Sequence, residues 1–445
     1  MTHEESRARP LRRALTLAAL LALTPLTACS AGSLGSSGGS SDGATEITWL
    51  TGSDETAQAN ARAVVDAFQA AHPDIKVTIE GRPAGTEGDN LIKTRLQTGS
   101  MNDVFDYNSG SLFQQIAPNR NLVPISDEPY VDSLDDTFKE QVTSDGAEYG
   151  VPYGTAFGGG VMYNRDVYSR LGLQVPTTWA QFVSNAEAIK AAGVAPVIQT
   201  YGETWTSQLF VLGDFHNVAA EKPNWAADYT ANKAKYANDP VAIRGFEHLQ
   251  EVHDKGLENA SYASDELADG MRQLAAGEGA MYPILSNQIL TLTTAAPEAA
   301  QSVGFFALPG DDAATNGLTA WYPNAVYIPK TTEGDELEAS KELLSFIASP
   351  DGCDALSQAS PPTGPYLVDG CELPSDVPQV TKDVQAYFDD EKQSPALEFL
   401  SPVKGPNLEQ LTVEVGSGIR SAADAAAVYD QDVQKQAQQL GLDGW

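Results

Sequence analysis

Histidine, cysteine and positive charge are all scarce in this 445-residue chain. The five histidines are His3, His72, His216, His248 and His253. His248 and His253 stand five apart without the intervening Glu of a zinc-hydrolase helix, so that chemistry is excluded and both read as residues of a helix surface. No metal site or cofactor is expected. A nucleophile elbow is missing, because Glu414-Val415-Gly416-Ser417-Gly418 lacks the first glycine of GxSxG. The phosphate-cradling GxxxxGK[ST] loop is absent too. Lys and Arg number 27 against 60 Asp and Glu, a net charge of −33. That balance argues against nucleic acid or an anionic membrane surface as partner, since both need basic patches, and favours a neutral or cationic ligand. Among so many carboxylates a chance pair is expected, so residue type alone neither indicates nor excludes a glycosidase-like acid/base pair. Beyond the N-terminus no run approaches 18 apolar residues, and no transmembrane helix is expected.

The N-terminus has what the rest lacks. Arg7, Arg9, Arg12 and Arg13 precede an apolar stretch from about Ala14 to Leu26, too short to span a bilayer. Basic head, short apolar core and small residues at the cut make residues 1–28 a secretory signal peptide. Leu26-Thr27-Ala28-Cys29 resembles the lipobox of bacterial lipoproteins, which implies cleavage before Cys29 and a lipid on its sulfur. Residues 29–45 are then the lipidated cysteine and a Gly/Ser-rich tether with a reach of roughly 20 Å. This places the body on the extracellular face of the cell membrane, anchored through Cys29. The signal carries four Arg and two Glu, so the mature chain is near −33 − 2 = −35.

Two cysteines remain, Cys353 and Cys371. In an oxidising space a disulfide is the economical assignment, closing a loop of about 19 residues and stabilising by roughly 3 kcal/mol. Two free thiols are the alternative. A mature length above 400 residues exceeds one comfortable core, so two domains are expected. Ile47–Leu50, Ile75–Ile79 and Asp103–Tyr107 read as strands, alternating with helices at 57–71, 90–97 and 110–117, which is the pattern of a largely parallel α/β sheet. Phe157–Asn164 is a strand led by three glycines. Thr178 is set to cap a helix from Trp179, and the stretch from there to about Leu290 reads as mostly helical. Strands return at 303–309 and 325–329, and an amphipathic helix 337–349 ends at Pro350. A chain that leaves a sheet and returns to it makes two lobes joined by several strands, with a cleft at the hinge. The expected division is 46–155 with 303–348 in the N-terminal lobe and 156–302 with 349–445 in the C-terminal lobe.

Several segments together form a recognisable series. Tyr149-Gly150-Val151-Pro152-Tyr153, Met162-Tyr163-Asn164-Arg165-Asp166, Leu171-Gly172-Leu173 and Pro176-Thr177-Thr178-Trp179 resemble the "YGVPY…YNKD…GL…PPTTW" stretch of carbohydrate-binding lipoproteins of ABC importers, the maltose-binding-protein-like family 1 of extracellular solute-binding proteins. Ala276–Met281, Gly304–Pro309 and Leu337–Gly352 continue the likeness in order. The resemblance implies a two-lobed periplasmic-binding-protein-like fold of type II, an α/β architecture without catalytic activity. It further implies capture of a mono- or oligosaccharide by hinge closure and delivery by a monomer to permease subunits. Sugars offer apolar C–H faces and many hydroxyls, so their cleft needs aromatic plates with carboxylates and amides. By position in the family pattern the ligand-binding candidates are Asp54 after the first strand and Asp106, Tyr107 and Asn108 at the end of the third. Phe157 lies at the first crossover, where maltose-binding protein has an acidic contact. Glu203 and Trp205 lie in one loop, Asn287 at a position often Trp, and Trp321 and Tyr322 in a loop resembling a "GGW" segment. Trp49 and Trp179 read as structural. The alternatives are the same fold holding a non-sugar solute such as a polyamine, and an extracellular glycan-degrading enzyme.

Overall fold

The computed structural model describes residues 44–442, 444 and 445. The expected signal peptide, Cys29 and the expected tether up to residue 43 lie outside the described residues. In chain order the strands are β1 Thr45–Gly52, β2 Ile75–Arg82, β3 Val104–Tyr107, β4 Thr143–Ser144, β5 Ala147–Glu148, β6 Gly150–Tyr153 and β7 Phe157–Asn164. They continue with β8 Ala195–Val197, β9 Gly279–Leu285, β10 Val303–Ala307, β11 Leu318–Trp321, β12 Asn324–Tyr327 and β13 Gln393–Pro395.

The first sheet has the order β2-β1-β3-β12-β6. β1 is parallel to β2 and β3, while β12 runs antiparallel to β3 and β6. Alternation along β1 sends Ile47 and Trp49 to one face and Leu50 to the other, as a two-sided strand requires. The first face is covered by the helix Glu55–Ala71, which buries Ala61, Val64, Val65 and Phe68 at helical spacing. Asp54 caps that helix by accepting the Ala57 amide at 2.9 Å. The chain leaves the helix at His72, just before Pro73.

The second sheet has the order β13-β11-β7-β9-β8, with β10 also paired to β7. Its strand β7 can lie close to its neighbours because Gly158, Gly159 and Gly160 carry no side chain. A Cβ would meet Leu318 at 2.7 Å, the Trp321 ring at 2.5 Å and the Phe306 carbonyl at 2.5 Å. Thr178 does cap the helix Trp179–Ala191, whose Phe182, Ala186 and Ile189 are buried.

Several expectations are corrected. β10 and β11, expected with the first lobe, pair with β7 in the second sheet, and only β12 returns to the first. The helix Pro350–Ala359, expected in the second lobe, shares a core with Phe68 of the first through Cys353, Ala355 and Leu356. Pro350 does not only stop a helix: it is the first residue of the next one, capped by Ser349, where its missing N–H costs nothing. β8 and β9 interrupt the stretch read as helical; β9 is apolar almost throughout, and periodicity does not separate such a strand from a buried helix. His248, read as a surface residue, is buried and stacked on Trp179 with ring centroids 3.8 Å apart. Burial pulls its pKa down to about 3, so it is neutral. His253 is half-buried and pairs with Glu258 at 2.8 Å. Trp49 and Trp179 are buried, as read.

The second lobe also buries an acid. Asp214 accepts from Asn217 Nδ2 at 2.7 Å, yet desolvation pushes its carboxyl up to about 7, against the opposing pull of Arg244. The folded state therefore holds a proton that the unfolded chain has already lost between about pH 4 and 7, and stability falls as pH rises through that window. Asp214→Asn keeps the acceptor and removes the charge. Its unfolding free energy relative to the parent is expected to be near zero below pH 4 and to rise by up to ~4 kcal/mol by pH 8. Denaturant titrations across that range check this; a pH-independent difference contradicts it.

Candidate ligand-binding groove

Three connections join the two sheets. Residues 154–156 lead from β6 to β7 and residues 322–323 from β11 to β12. The third runs from Cys371, packed on the first core, to the helix Gln379–Asp389, whose Val380 and Val384 belong to a core of the second lobe. The segment before Cys371 lies against the first connection: Thr155 bridges Tyr366, and the Ala156 amide donates to the Pro365 carbonyl at 2.9 Å.

Beside these connections is a groove of about 410 Å³. The first lobe contributes Thr56 and Asn60 from the start of the Glu55–Ala71 helix. The second contributes Phe157 from β7 and Asn287 and Gln288 from the turn after β9. Its polar groups are amides and hydroxyls; Gln288 Nε2 donates to Asn287 Oδ1 at 3.3 Å and Thr291 Oγ1 to Gln288 Oε1 at 3.4 Å. Phe157, Leu290 and Pro362 add apolar surface. Among the described residues, no Asp, Glu, Lys, Arg or His lines it. Such a surface suits a neutral solute with both hydroxyls and C–H faces. It offers no acid/base pair and no charge to hold a polycation.

The sequence-derived candidates fall into separate places. Phe157 and Asn287 line the groove together. Trp321 is buried behind Phe157, opposite it in register, with rings 6.2 Å apart at 12°. Glu398 Oε1 accepts from its indole at 2.7 Å and fixes the ring. Asp54 stands at the tip of the helix that brings Thr56 and Asn60, engaged as a cap. Glu203 precedes the 3-10 turn Thr204–Gln208 and Trp205 lies within it. Trp205 is half-buried against the core that includes Ile284 and Ile289, which flank the Asn287 turn in sequence. Tyr107 and Tyr322 are core residues, 0 % and 5 % exposed, with their rings turned away from solvent. Asn108 engages through its carbonyl, which accepts from the Tyr327 hydroxyl at 3.0 Å.

Asp106 belongs to a buried polar cluster at the end of β3. Arg82 Nη2 reaches its Oδ2 at 3.2 Å and Asn324 Nδ2 donates to the same oxygen at 3.4 Å. Asp106 Oδ1 and Arg82 Nε have no partner among the described residues. Desolvation raises the Asp106 pKa, opposed by Thr51, Arg82 and Asn324.

Sequence reasoning missed Thr56, Asn60, Gln288, Thr291 and the stretch Ser360–Tyr366. The last carried a usable signal, a polar Pro-Pro-Thr-Gly run between two cysteines. Cys353 and Cys371 are joined, with Cα atoms 6.0 Å apart.

The family model "Bacterial extracellular solute-binding protein" matches residues 52–352. The "Multiple sugar-binding protein" of Streptococcus mutans is 28% identical over 276 residues, covering 59% of this chain and 61% of that protein, so the match spans less than two thirds of the relative's length. The fold is similar to the apo form of RafE from Streptococcus pneumoniae, with a TM-score of 0.74 at 18% identity, covering 88% of this chain and 98% of that one. RafE in complex with raffinose superposes with a TM-score of 0.68 at 19% identity over 89% and 99% of the two chains. An open conformation of the binding protein msme from Bacillus subtilis gives 0.73 at 16% identity over 90% and 99%.

Proposed function

The chain belongs to the bacterial extracellular solute-binding proteins, and from that premise we propose that it captures a mono- or oligosaccharide for an ABC importer without reacting it. The observation that carries this reading is the uncharged groove between elements of both lobes. It is furnished with the amides of Asn60, Asn287 and Gln288 and with the Phe157 ring. Contacts from both lobes give a ligand higher affinity for a closed arrangement, which is what drives hinge closure. The similarity to a multiple sugar-binding protein and to a raffinose-bound receptor supports a sugar as the solute. Asp54, Glu203 and Trp205 are the residues we expect to complete the site on closure. Trp321 supports the Phe157 ring from within, whereas Asp106, Tyr107, Asn108 and Tyr322 are not among the lining residues.

The permease subunits of the importer are the proposed protein partner. Lipidation at Cys29 would keep the receptor near them, and the 29–45 tether would let both lobes turn to dock. Two acyl chains suffice for stable anchoring. An intact mass beginning at an acylated Cys29, on protein extracted from its own membrane, is the matching observation.

Intrinsic tryptophan fluorescence against raffinose, stachyose, chitin oligosaccharides and galactose tests the sugar reading, with spermidine as control. A saturable shift with a sugar and none with spermidine is expected. Silence towards every sugar up to millimolar concentration would overturn it.

A further inference from the structure

The disulfide is not remote from the groove. Six of the fifteen residues that line it lie between Cys353 and Cys371: Leu356, Ser360, Pro361, Pro362, Thr363 and Tyr366. Cys353 is buried in the helix Pro350–Ala359, which packs on the Glu55–Ala71 helix. Cys371 is packed on the same core, immediately before the chain crosses to the second lobe. The bond therefore ties both ends of residues 354–370 to the first lobe.

Beyond the disulfide, Leu367 and Val368 are buried in the cores of the first lobe, and the backbone nearby pairs with Ser133, Asp135 and Ala156. From 361 to 378 the chain has no helix and no strand longer than a single bridge. Its side of the groove is attached by individual hydrogen bonds. Ser360 Oγ donates to Asn60 Oδ1 at 2.8 Å, the Thr363 amide to Thr155 Oγ1 at 3.3 Å and the Tyr366 hydroxyl to the Cys353 carbonyl at 3.2 Å. Each contributes only about 1 kcal/mol net. A wall built this way, if its ends were free, would have to be ordered at the moment of binding, at the expense of affinity. Release of Cys371 would also lengthen the unsecured link between lobes, from 372–378 to 370–378, since Asp369 remains bonded to the Ser133 carbonyl.

We propose that the Cys353–Cys371 bond is a positioning element of the ligand groove. It holds Ser360–Tyr366 as a preformed wall, so the oxidation state of the pair sets ligand affinity as well as stability. This rests on the sugar-binding reading above. The test compares the oxidised protein with the same protein after dithiothreitol treatment, and with the Cys353→Ala/Cys371→Ala variant. Dithiothreitol passes two electrons and two protons to the pair by thiol–disulfide exchange, leaving two thiols and its own cyclic disulfide. Raffinose affinity is expected to weaken roughly tenfold on reduction, mainly through faster dissociation. Amide hydrogen exchange at 360–371 is expected to accelerate while the strands of both sheets stay protected. A purely structural bond would lower Tm and leave both readouts unchanged at 25 °C, and that result overturns the proposal. If the double variant does not fold, reduction of the already folded protein decides. If raffinose binds neither state, the sugar of the panel that shifts the fluorescence takes its place; if none does, the sugar reading is overturned, and exchange at 360–371 alone decides whether the bond orders the wall.

Discussion

Arg82→Ala is expected to destabilise the protein by about 3–5 kcal/mol, the cost of leaving a buried carboxylate without its cation. Asp106 is 3 % exposed and Arg82 8 %. The guanidinium reaches both the Asp106 carboxylate at 3.2 Å and its carbonyl at 3.3 Å. Remaining hydrogen-bond support for that carboxylate would come from Asn324 at 3.4 Å, because Asp106 Oδ1 and Thr51 Oγ1 have no partner among the described residues. The intact pair need not be strongly stabilising, because desolvation of two ions offsets most of their attraction, and one atom on each partner is already unpaired. Asymmetry is the test: Arg82→Ala alone is severe, whereas Arg82→Ala with Asp106→Ala recovers a large part of the loss. Urea titrations should show a lower midpoint at unchanged slope for the single variant. Without Arg82 the folded-state pKa of Asp106, already raised, rises further. The defect should therefore shrink as pH falls and the carboxyl becomes neutral, and grow as pH rises. A single-variant loss under 1 kcal/mol, or no recovery in the double variant, would falsify this account. Because Asn324 follows the 322–323 connection directly, the same pair fixes where the chain re-enters the first sheet.

Gly364→Ala should cost roughly 2–4 kcal/mol and most of the ligand affinity, since its new methyl group has nowhere to go. A Cβ there would stand 2.1 Å from the Ala156 carbonyl oxygen and 3.1 Å from its carbon, both backbone atoms of the 154–156 connection. The cause is close approach of two chain segments, not an unusual φ. Relief requires the 360–366 wall to lift from the connection, breaking the Ala156–Pro365 hydrogen bond and the Thr155–Tyr366 bridge. Gly172 makes the contrast: it is left-handed at φ +67 with open space around it, so alanine there meets only backbone strain of about 1 kcal/mol. Calorimetric Tm and raffinose titration of both variants separate the cases. Equal behaviour of the two would show that the wall does not bear on the connection.

Much of the first lobe was legible in the sequence. β1, the Glu55–Ala71 helix and β2 carry short-range patterns that a few neighbouring residues define: alternation for the strands, a 3.6-residue period for the helix and a stop at Pro73. The Thr178 cap and the covalent pairing of two exported cysteines are likewise local or compositional. Phe157 and Asn287 were reached from position in a family pattern, and the groove does contain both.

Other properties depend on which distant segment a residue meets. β10 looks like a strand in any context, but its lobe is decided by pairing with β7 more than a hundred residues earlier. His248 sits on a helix with charged neighbours, and only the indole of Trp179 lying against it makes it a buried, neutral ring. Asp106 looks like a ligand contact, yet Arg82 on the next-but-one strand claims it first. By itself, then, the sequence determined the strongly patterned strands and helices of the first lobe, the Thr178 cap and the pair of cysteines available to join, because these follow from local stereochemistry and residue identity. Only the tertiary structure decided lobe membership, the fate of each buried charge and the composition of the groove. Those are set by long-range packing, where burial and one partner's reach outweigh what a residue prefers alone.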